Sequence, residues 1–214
     1  FNDKTLIFNG EIYNYLEIKN ELKKKGYIFK TSSDTEVLIK ALDFWGINCV
    51  KKLEGMWAFF YHDNKTKISY LCRDRFGEKP LFYLKNFDEI FFGSEVKYIK
   101  CLYEKQIEIN YDKIENFLRN GYKSLNKNSS THFKKINKVP SGCYLRIKKN
   151  QIQQVKYWDI SYNPVNTSEN ECIKILQEKL FKSIELRLRS DFPIAFFLSG
   201  GIDSNTLAFI AKKH

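Results

Sequence analysis

Ile194-Ala195-Phe196-Phe197-Leu198-Ser199-Gly200-Gly201-Ile202-Asp203-Ser204 is the stretch on which the architecture turns. Five apolar residues in a row predict a strand buried on both faces, as in a parallel sheet. The glycine pair after it permits positive φ and brings bare backbone close to a ligand. A helix is predicted from about Asp203 onward, so its unpaired N–H groups and positive dipole end converge on the loop. Ser199 and Ser204 add hydroxyls, and phosphate suits the combination. Asp203 would repel an anion unless a cation intervenes, and Mg²⁺ commonly bridges a carboxylate and phosphate oxygens. An isolated Asp or Ser at a helix start is explained as well by capping, which contributes about 1 kcal/mol without function. Strand, loop and helix in sequence favour the phosphate reading. No Lys follows the glycines, so this is not the GxxxxGK[ST] loop.

Working upstream, Ser168 and Glu171 form an S-x-x-E capping box. Behind it, Ile173, Leu176, Leu180, Ile184 and Leu188 lie on one helical stripe. Helix, strand, loop and helix read as the start of a doubly wound α/β sheet. The polar run 161–167, which contains Pro164, marks the expected domain boundary, giving domains 1–162 and 163–214.

The earlier part has a different texture. Runs 56–61, 68–73, 81–84 and 90–92 are short, aromatic and apolar, with polar turns between them, and predict antiparallel strands. Residues 143–147 and 152–157 predict a hairpin around Lys149-Asn150. Residues 5–8 predict a short strand that Asn9-Gly10 breaks. A helix is predicted after Asn14, with Glu17 three residues on and Gly26 as its stop. A second starts at Ser33, where Ser33 and Glu36 make another capping box. Val37, Leu38, Ala41, Leu42 and Trp45 form its stripe, and Gly46 ends it. A third covers 111–119.

Bulk properties narrow the class. The 214 residues are 43% hydrophobic and 16% aromatic, enough for a core and against general disorder. Net charge is +11, but only six of the basic residues are Arg and the Lys are scattered. That reads as a solvated surface and not a nucleic-acid reader. The five cysteines are far apart, with no CxxC pair and no His at ligand spacing, which argues against zinc and against a full disulfide framework. Buried thiols in a reducing cytoplasm are expected. No secretory signal and no apolar run long enough for a membrane span is legible.

The second chemical string is Phe8-Asn9-Gly10-Glu11-Ile12-Tyr13-Asn14. The Asn9 side-chain amide and the Gly10 N–H are two donors of the kind that form an oxyanion hole. Alone, Asn-Gly reads as a turn. It is followed in order by Ser33-Asp34-Thr35-Glu36, Arg73-Asp74-Arg75-Phe76-Gly77-Glu78-Lys79-Pro80-Leu81, Phe92-Gly93-Ser94-Glu95-Val96-Lys97, Val139-Pro140-Ser141-Gly142 and Tyr157-Trp158-Asp159. This series resembles the glutaminase half of asparagine synthetases, which are class II glutamine amidotransferases. SGGIDS resembles the pyrophosphate loop of N-type ATP pyrophosphatases.

The resemblance implies an α+β N-terminal-nucleophile hydrolase fold, with stacked antiparallel sheets flanked by helices. The start of an α/β, Rossmann-like ATP-pyrophosphatase domain would follow it. By the same resemblance Asn9 and Gly10 form the oxyanion hole, Glu11 belongs to the glutamine pocket and Asp34 binds the glutamine α-ammonium. Leu198, Ser199, Gly200, Gly201, Asp203 and Ser204 hold ATP, with Mg²⁺ at Asp203. The implied reaction hydrolyses glutamine, passes ammonia to an ATP-activated aspartate, and releases asparagine, glutamate, AMP and pyrophosphate. The alternative is another carboxylate acceptor, such as a surface-polysaccharide sugar. A homodimer, no nucleic acid, no membrane and a cytoplasmic location complete the expectations. Segment 73–81 reads as structural, shaping the glutaminase domain or its contact with the ATP domain. The family's nucleophile is a Cys at the mature N-terminus, whereas residue 1 here is Phe. The nucleophile is expected upstream, together with the arginine that holds the glutamine carboxylate, and the piece alone is expected to be inactive.

Overall fold

Alternation along the strand β2 (Gly55–Asp63) sets the layering. Trp57, Phe59 and Tyr61 point to one face, Ala58 and Phe60 to the other, and both sets are in cores. A strand buried on both faces needs cover on both sides. The computed structural model, which describes residues 1–124 and 128–213, shows how each face is covered.

The other elements of this region are β1 (Lys4–Ile12), α1 (Tyr15–Lys23), α2 (Asp34–Trp45), β3 (Ile68–Arg73), β4 (Phe82–Asn86), β5 (Glu89–Gly93), α3 (Val96–Leu102), α4 (Tyr111–Asn120), β6 (Ile136–Lys138), β7 (Cys143–Lys148) and β8 (Gln151–Lys156). One sheet has the order β1-β2-β3-β7-β8 and the other β5-β4-β6, with every pairing antiparallel. On the first sheet's outer face, Ile18, Leu22, Val37, Leu38 and Leu42 from α1 and α2 close over Trp57 and Phe59. Between the sheets, Leu71 and Leu145 meet Leu81 and Val139, and the Phe60 and Phe92 rings stack 4.6 Å apart. On the far side, Ile99 of α3 packs with Leu84 and Ile136. The result is helix–sheet–sheet–helix, the α+β arrangement that the motifs implied.

Several local expectations are corrected. Asn9-Gly10 does not break β1, which runs through it with Gly10 in register opposite Trp57. The glycine serves close approach and not a turn: a Cβ there would lie 2.2 Å from the Met56 carbonyl oxygen and 2.7 Å from Trp57 Cα. Asn14 precedes α1 without capping it through its side chain. Its amide instead donates to Lys52 O and accepts from Glu54 N–H, each at 2.9 Å. Ser33 does cap α2, accepting from Thr35 N–H at 3.1 Å. Glu36 does not close the box; its carboxylate accepts from the N–H groups of Lys30 and Thr31. The hairpin at Lys149-Asn150 forms as expected, with both residues at positive φ (46° and 61°), the conformation that matches strand twist in a two-residue turn.

The chain divides into units Phe1–Asp159 and Ile160–His214. In the second, α5 (Glu169–Arg187) is capped by Ser168, which accepts from Glu171 N–H. The helices α5 and α6 (Ile202–Lys213) touch, and Ile184, Leu186 and Ile210 are buried. Residues 194–198 are not a buried strand here, and Phe197 and Leu198 are exposed. A parallel strand is stabilised by neighbours on either side, and the described residues of this unit contain no other strand. For the same reason Ile173 and Leu176 on the α5 stripe remain exposed.

The inter-sheet core yields a direct expectation. Leu71 is fully buried and Ile28 is 83% exposed. Leu71→Ala should destabilise the protein by about 2–5 kcal/mol in urea titrations. Ile28→Ala should change stability by less than about 0.5 kcal/mol. Equal effects would contradict the layering.

Candidate active site

Among the described residues the strand β1 is an edge strand, paired only with β2. N–H groups of an antiparallel strand alternate in direction, toward the partner and away from it. The Tyr13 N–H reaches Glu54 O at 2.8 Å, on the β2 side. The Ile12 N–H points the other way and donates to Asp34 Oδ2 at 3.0 Å. Gly10, two residues from Ile12, therefore directs its N–H off the same open edge. The Asn9 side chain stands on the face turned to the second sheet, where its Nδ2 donates to Ser94 Oγ at 2.9 Å. An amide has two N–H donors, so this bond fixes the group and leaves one N–H. Glu11 shares the Asn9 face of β1, two residues along, and is exposed.

Asp34 reaches the edge because it opens α2 directly after the Ser33 cap. One carboxylate oxygen is engaged by Ile12 N–H, and among the described residues the other has only a long 3.5 Å contact from the Thr35 hydroxyl. Glu36, on the same first turn, has a different task. Besides Lys30 and Thr31 N–H it accepts from the Thr31 hydroxyl at 2.7 Å and pairs with the buried Lys40. Lys40 also donates to Ile28 O and lies over the Phe29 ring at 4.3 Å. Burial pushes the Glu36 carboxyl up, but hydrogen bonds from Lys40, Lys30 and Thr31 outweigh it and bring its pKa down to about 2.

Beside Asn9 lies an apolar cleft of about 400 Å³, lined by residues that include Ile7, Phe60, Phe92, Ser94 and Tyr98. Asn9, Gly10, Ser94 and Asp34 thus converge on one end of β1. Sequence spacing gives Ser94 no role of its own, although it lies within the Phe92–Lys97 string. In segment 73–81, Asp74 and Leu81 are buried whereas Phe76 and Glu78 are exposed, and the Arg73 and Asp74 side chains hydrogen-bond the loop backbone at Gly77, Glu78 and Lys79. Cys49, Cys72 and Cys143 are buried, and burial raises all three thiol pKa values. Cys101 and Cys172 are exposed. Among the described residues, no group of three or more His, Cys, Asp or Glu could hold a metal.

The second predicted site lies in the other unit. Gly200 has φ +82° with open space where a Cβ would stand, so its conformation and not crowding favours glycine. The Ser199 and Ser204 hydroxyls are 3.1 Å apart, and Gly201 N–H faces Ser199 Oγ at 3.4 Å. Asp203 lies in the first turn of α6, and Leu198 is exposed ahead of the loop. Loop amides, two hydroxyls and a carboxylate are therefore gathered at a helix start.

A profile described as "Glutamine amidotransferase domain" matches residues 2–158. The chain belongs to this glutamine amidotransferase family. A second profile, "Asparagine synthase", matches residues 176–214 of the amidotransferase chain. It is 34% identical to asparagine synthetase [glutamine-hydrolyzing] 1 of Bacillus subtilis, over 100% of this chain and 34% of that protein. It is also 34% identical to the putative asparagine synthetase [glutamine-hydrolyzing] 2 of Methanocaldococcus jannaschii, over 99% of this chain and 41% of that protein. The chain thus spans well under half the length of these relatives. Among solved structures, the glutamine phosphoribosylpyrophosphate amidotransferase of B. subtilis superposes with a TM-score of 0.50 at 19% identity, covering 98% of this chain and 44% of that one. That likeness bears on the fold alone, and agrees with stacked antiparallel sheets flanked by helices. No helix among the described residues is long and apolar enough to cross a membrane.

The depressed Glu36 carboxyl gives a pH signature at this site. Its folded value of about 2 lies below the ordinary 4.5. Its stabilisation is therefore fully present above that ordinary value and is lost as pH falls toward the folded one. Glu36→Gln should flatten the fall of melting temperature between about pH 5 and pH 2 relative to the unsubstituted protein. Parallel curves would contradict the assignment.

Proposed function

We propose that the full-length protein makes asparagine from aspartate, using ammonia released from glutamine in the unit Phe1–Asp159 and ATP held by the second unit. The observation that carries the glutaminase half is the 3.0 Å bond from Ile12 N–H to Asp34. It brings the start of α2 to the open edge of the strand bearing Asn9 and Gly10. Gly10 N–H and the remaining Asn9 N–H act as the oxyanion donors, each contributing about 2.7–4 kcal/mol of transition-state stabilisation. Asp34 holds the glutamine α-ammonium through its less occupied oxygen, a charge-assisted bond. Glu11 lines the same pocket. Cys49, Cys72 and Cys143 are buried with raised pKa values, which does not suit them to act as the attacking thiolate.

In the second unit the residues fit a nucleotide. The Gly200 conformation leaves the loop open, and the helix start supplies amide donors toward phosphate. Ser199, Gly200, Gly201 and Ser204 would hold the phosphates, with Leu198 against the nucleotide. Asp203 would hold Mg²⁺, which needs only one or two carboxylates when phosphate supplies its other ligands. Bound ATP supplies the group that activates the acceptor carboxylate.

The test uses the full-length protein with glutamine, aspartate, ATP and Mg²⁺, reading asparagine, glutamate and AMP. Asp34→Asn keeps an oxygen for Ile12 N–H but removes the charge. It should raise the glutamine KM at least about 10-fold while leaving synthesis from added ammonia unchanged. Asp203→Ala should lower synthesis from either nitrogen source at least about 100-fold and spare glutamine hydrolysis. Normal synthesis by Asp203→Ala would contradict the Mg²⁺ role. Product formed from another carboxylate but not from aspartate would replace the acceptor.

A further inference from the structure

We propose that Asp74 is a positioning residue for glutamine cleavage, fixing from behind the strand that presents Asn9 and Gly10. The proposal rests on the glutaminase reading above. Gly10 and Trp57 face each other across the β1–β2 ladder. Because Gly10 directs its N–H outward, the two are a non-hydrogen-bonded pair, the closer of the two antiparallel spacings. Their backbones are in tight contact, with no room for a Cβ on residue 10. Both polar groups of the Trp57 backbone therefore point the other way, toward the end of β3, and both are taken by Asp74. Its N–H donates to Trp57 O at 2.8 Å, and its Oδ2 accepts from Trp57 N–H at 3.3 Å.

The second of these bonds is where the ladder departs from an ordinary strand pair. The Asp74 carbonyl, which would normally accept from Trp57, instead accepts from Gly142 N–H at 2.8 Å. The side-chain carboxylate takes its place. That carboxylate is fully buried and also accepts from Phe76, Glu78 and Lys79 N–H at 3.1, 2.9 and 2.9 Å. Four N–H donors on two oxygens require a group that only accepts. Asn at this position would set its own N–H₂ against two donors. The Trp57 contact is the longest of the four, so the part of β2 that lies against Gly10 is the side released first.

The experiment compares full-length Asp74→Asn with the unsubstituted protein, using glutamine and, separately, ammonium chloride as nitrogen donor. A small displacement of Gly10 weakens transition-state contacts more than ground-state ones. The glutaminase kcat should fall about 10–100-fold with glutamine KM within about 3-fold. Synthesis from ammonium chloride should stay within about 2-fold. Where Asp74→Asn fails to fold, Tyr157→Phe carries the test. It removes only the 2.8 Å bond from the tyrosine hydroxyl to Arg73 O, next to Asp74, and should lower the same kcat about 3-fold by the same split. Loss of both activities together, a change confined to KM, or unaltered glutamine kcat would overturn the proposal. Glutamine hydrolysis by the unsubstituted protein tests the glutaminase reading separately.

Discussion

Two neighbours, the half-buried Arg73 and the buried Asp74, join the two sheets through backbone atoms. The Asp74 carboxylate gathers four N–H groups, while the Arg73 guanidinium donates to the carbonyls of Gly77, Lys79 and Val139 at 2.6, 2.7 and 3.0 Å. Burial pulls the Arg73 pKa below its ordinary value, and the adjacent Asp74 charge opposes that shift. Each ion is satisfied by main chain, which is the condition under which a buried charge is tolerated. The bonds tie the end of β3 to the 75–79 loop and to the 139–142 turn. Val139 N–H in turn bonds Leu81 O at the entrance to the second sheet. Gly142 is needed at that turn, with φ +63° and a would-be Cβ 2.7 Å from Trp158 O.

With the sheets fixed, β1 can be an edge strand with N–H groups pointing outward. Unpaired edges invite association with other chains. Here the start of α2 covers part of the edge by placing a carboxylate on Ile12 N–H. The two acids of that helix start divide the work. Glu36 is committed to Lys40 and the 30–31 backbone, which holds the helix start in place, and Asp34 is left with an oxygen to offer.

Much of the fold was legible because strand runs and hairpin turns are local signals. The alternation in 56–61 and the Lys149-Asn150 turn are examples. The motif order carried the family, which composition alone could not. What the sequence hid depended on distant partners. Asn9-Gly10 reads as a turn until Met56 and Trp57 are known to lie against it. Ser94 gains meaning only when β5 brings it to Asn9, 85 residues away in sequence. Glu36 looked like half of a capping box because the competing Lys40 and Thr31 groups are invisible to a spacing rule. Residues 194–198 have the composition of a buried strand, but composition does not supply the neighbours that such a strand pairs with.

The central claim is that the open edge of β1 and the start of α2 form one glutamine pocket. A crystal structure of the full-length protein soaked with glutamate tests it most directly. The account predicts the ligand's ammonium at about 3 Å from Asp34, with its side-chain carboxylate oxygen against Gly10 N–H and the Asn9 amide at hydrogen-bond distance. Glutamate bound elsewhere, or turned so that neither Gly10 nor Asp34 touches it, would contradict the account.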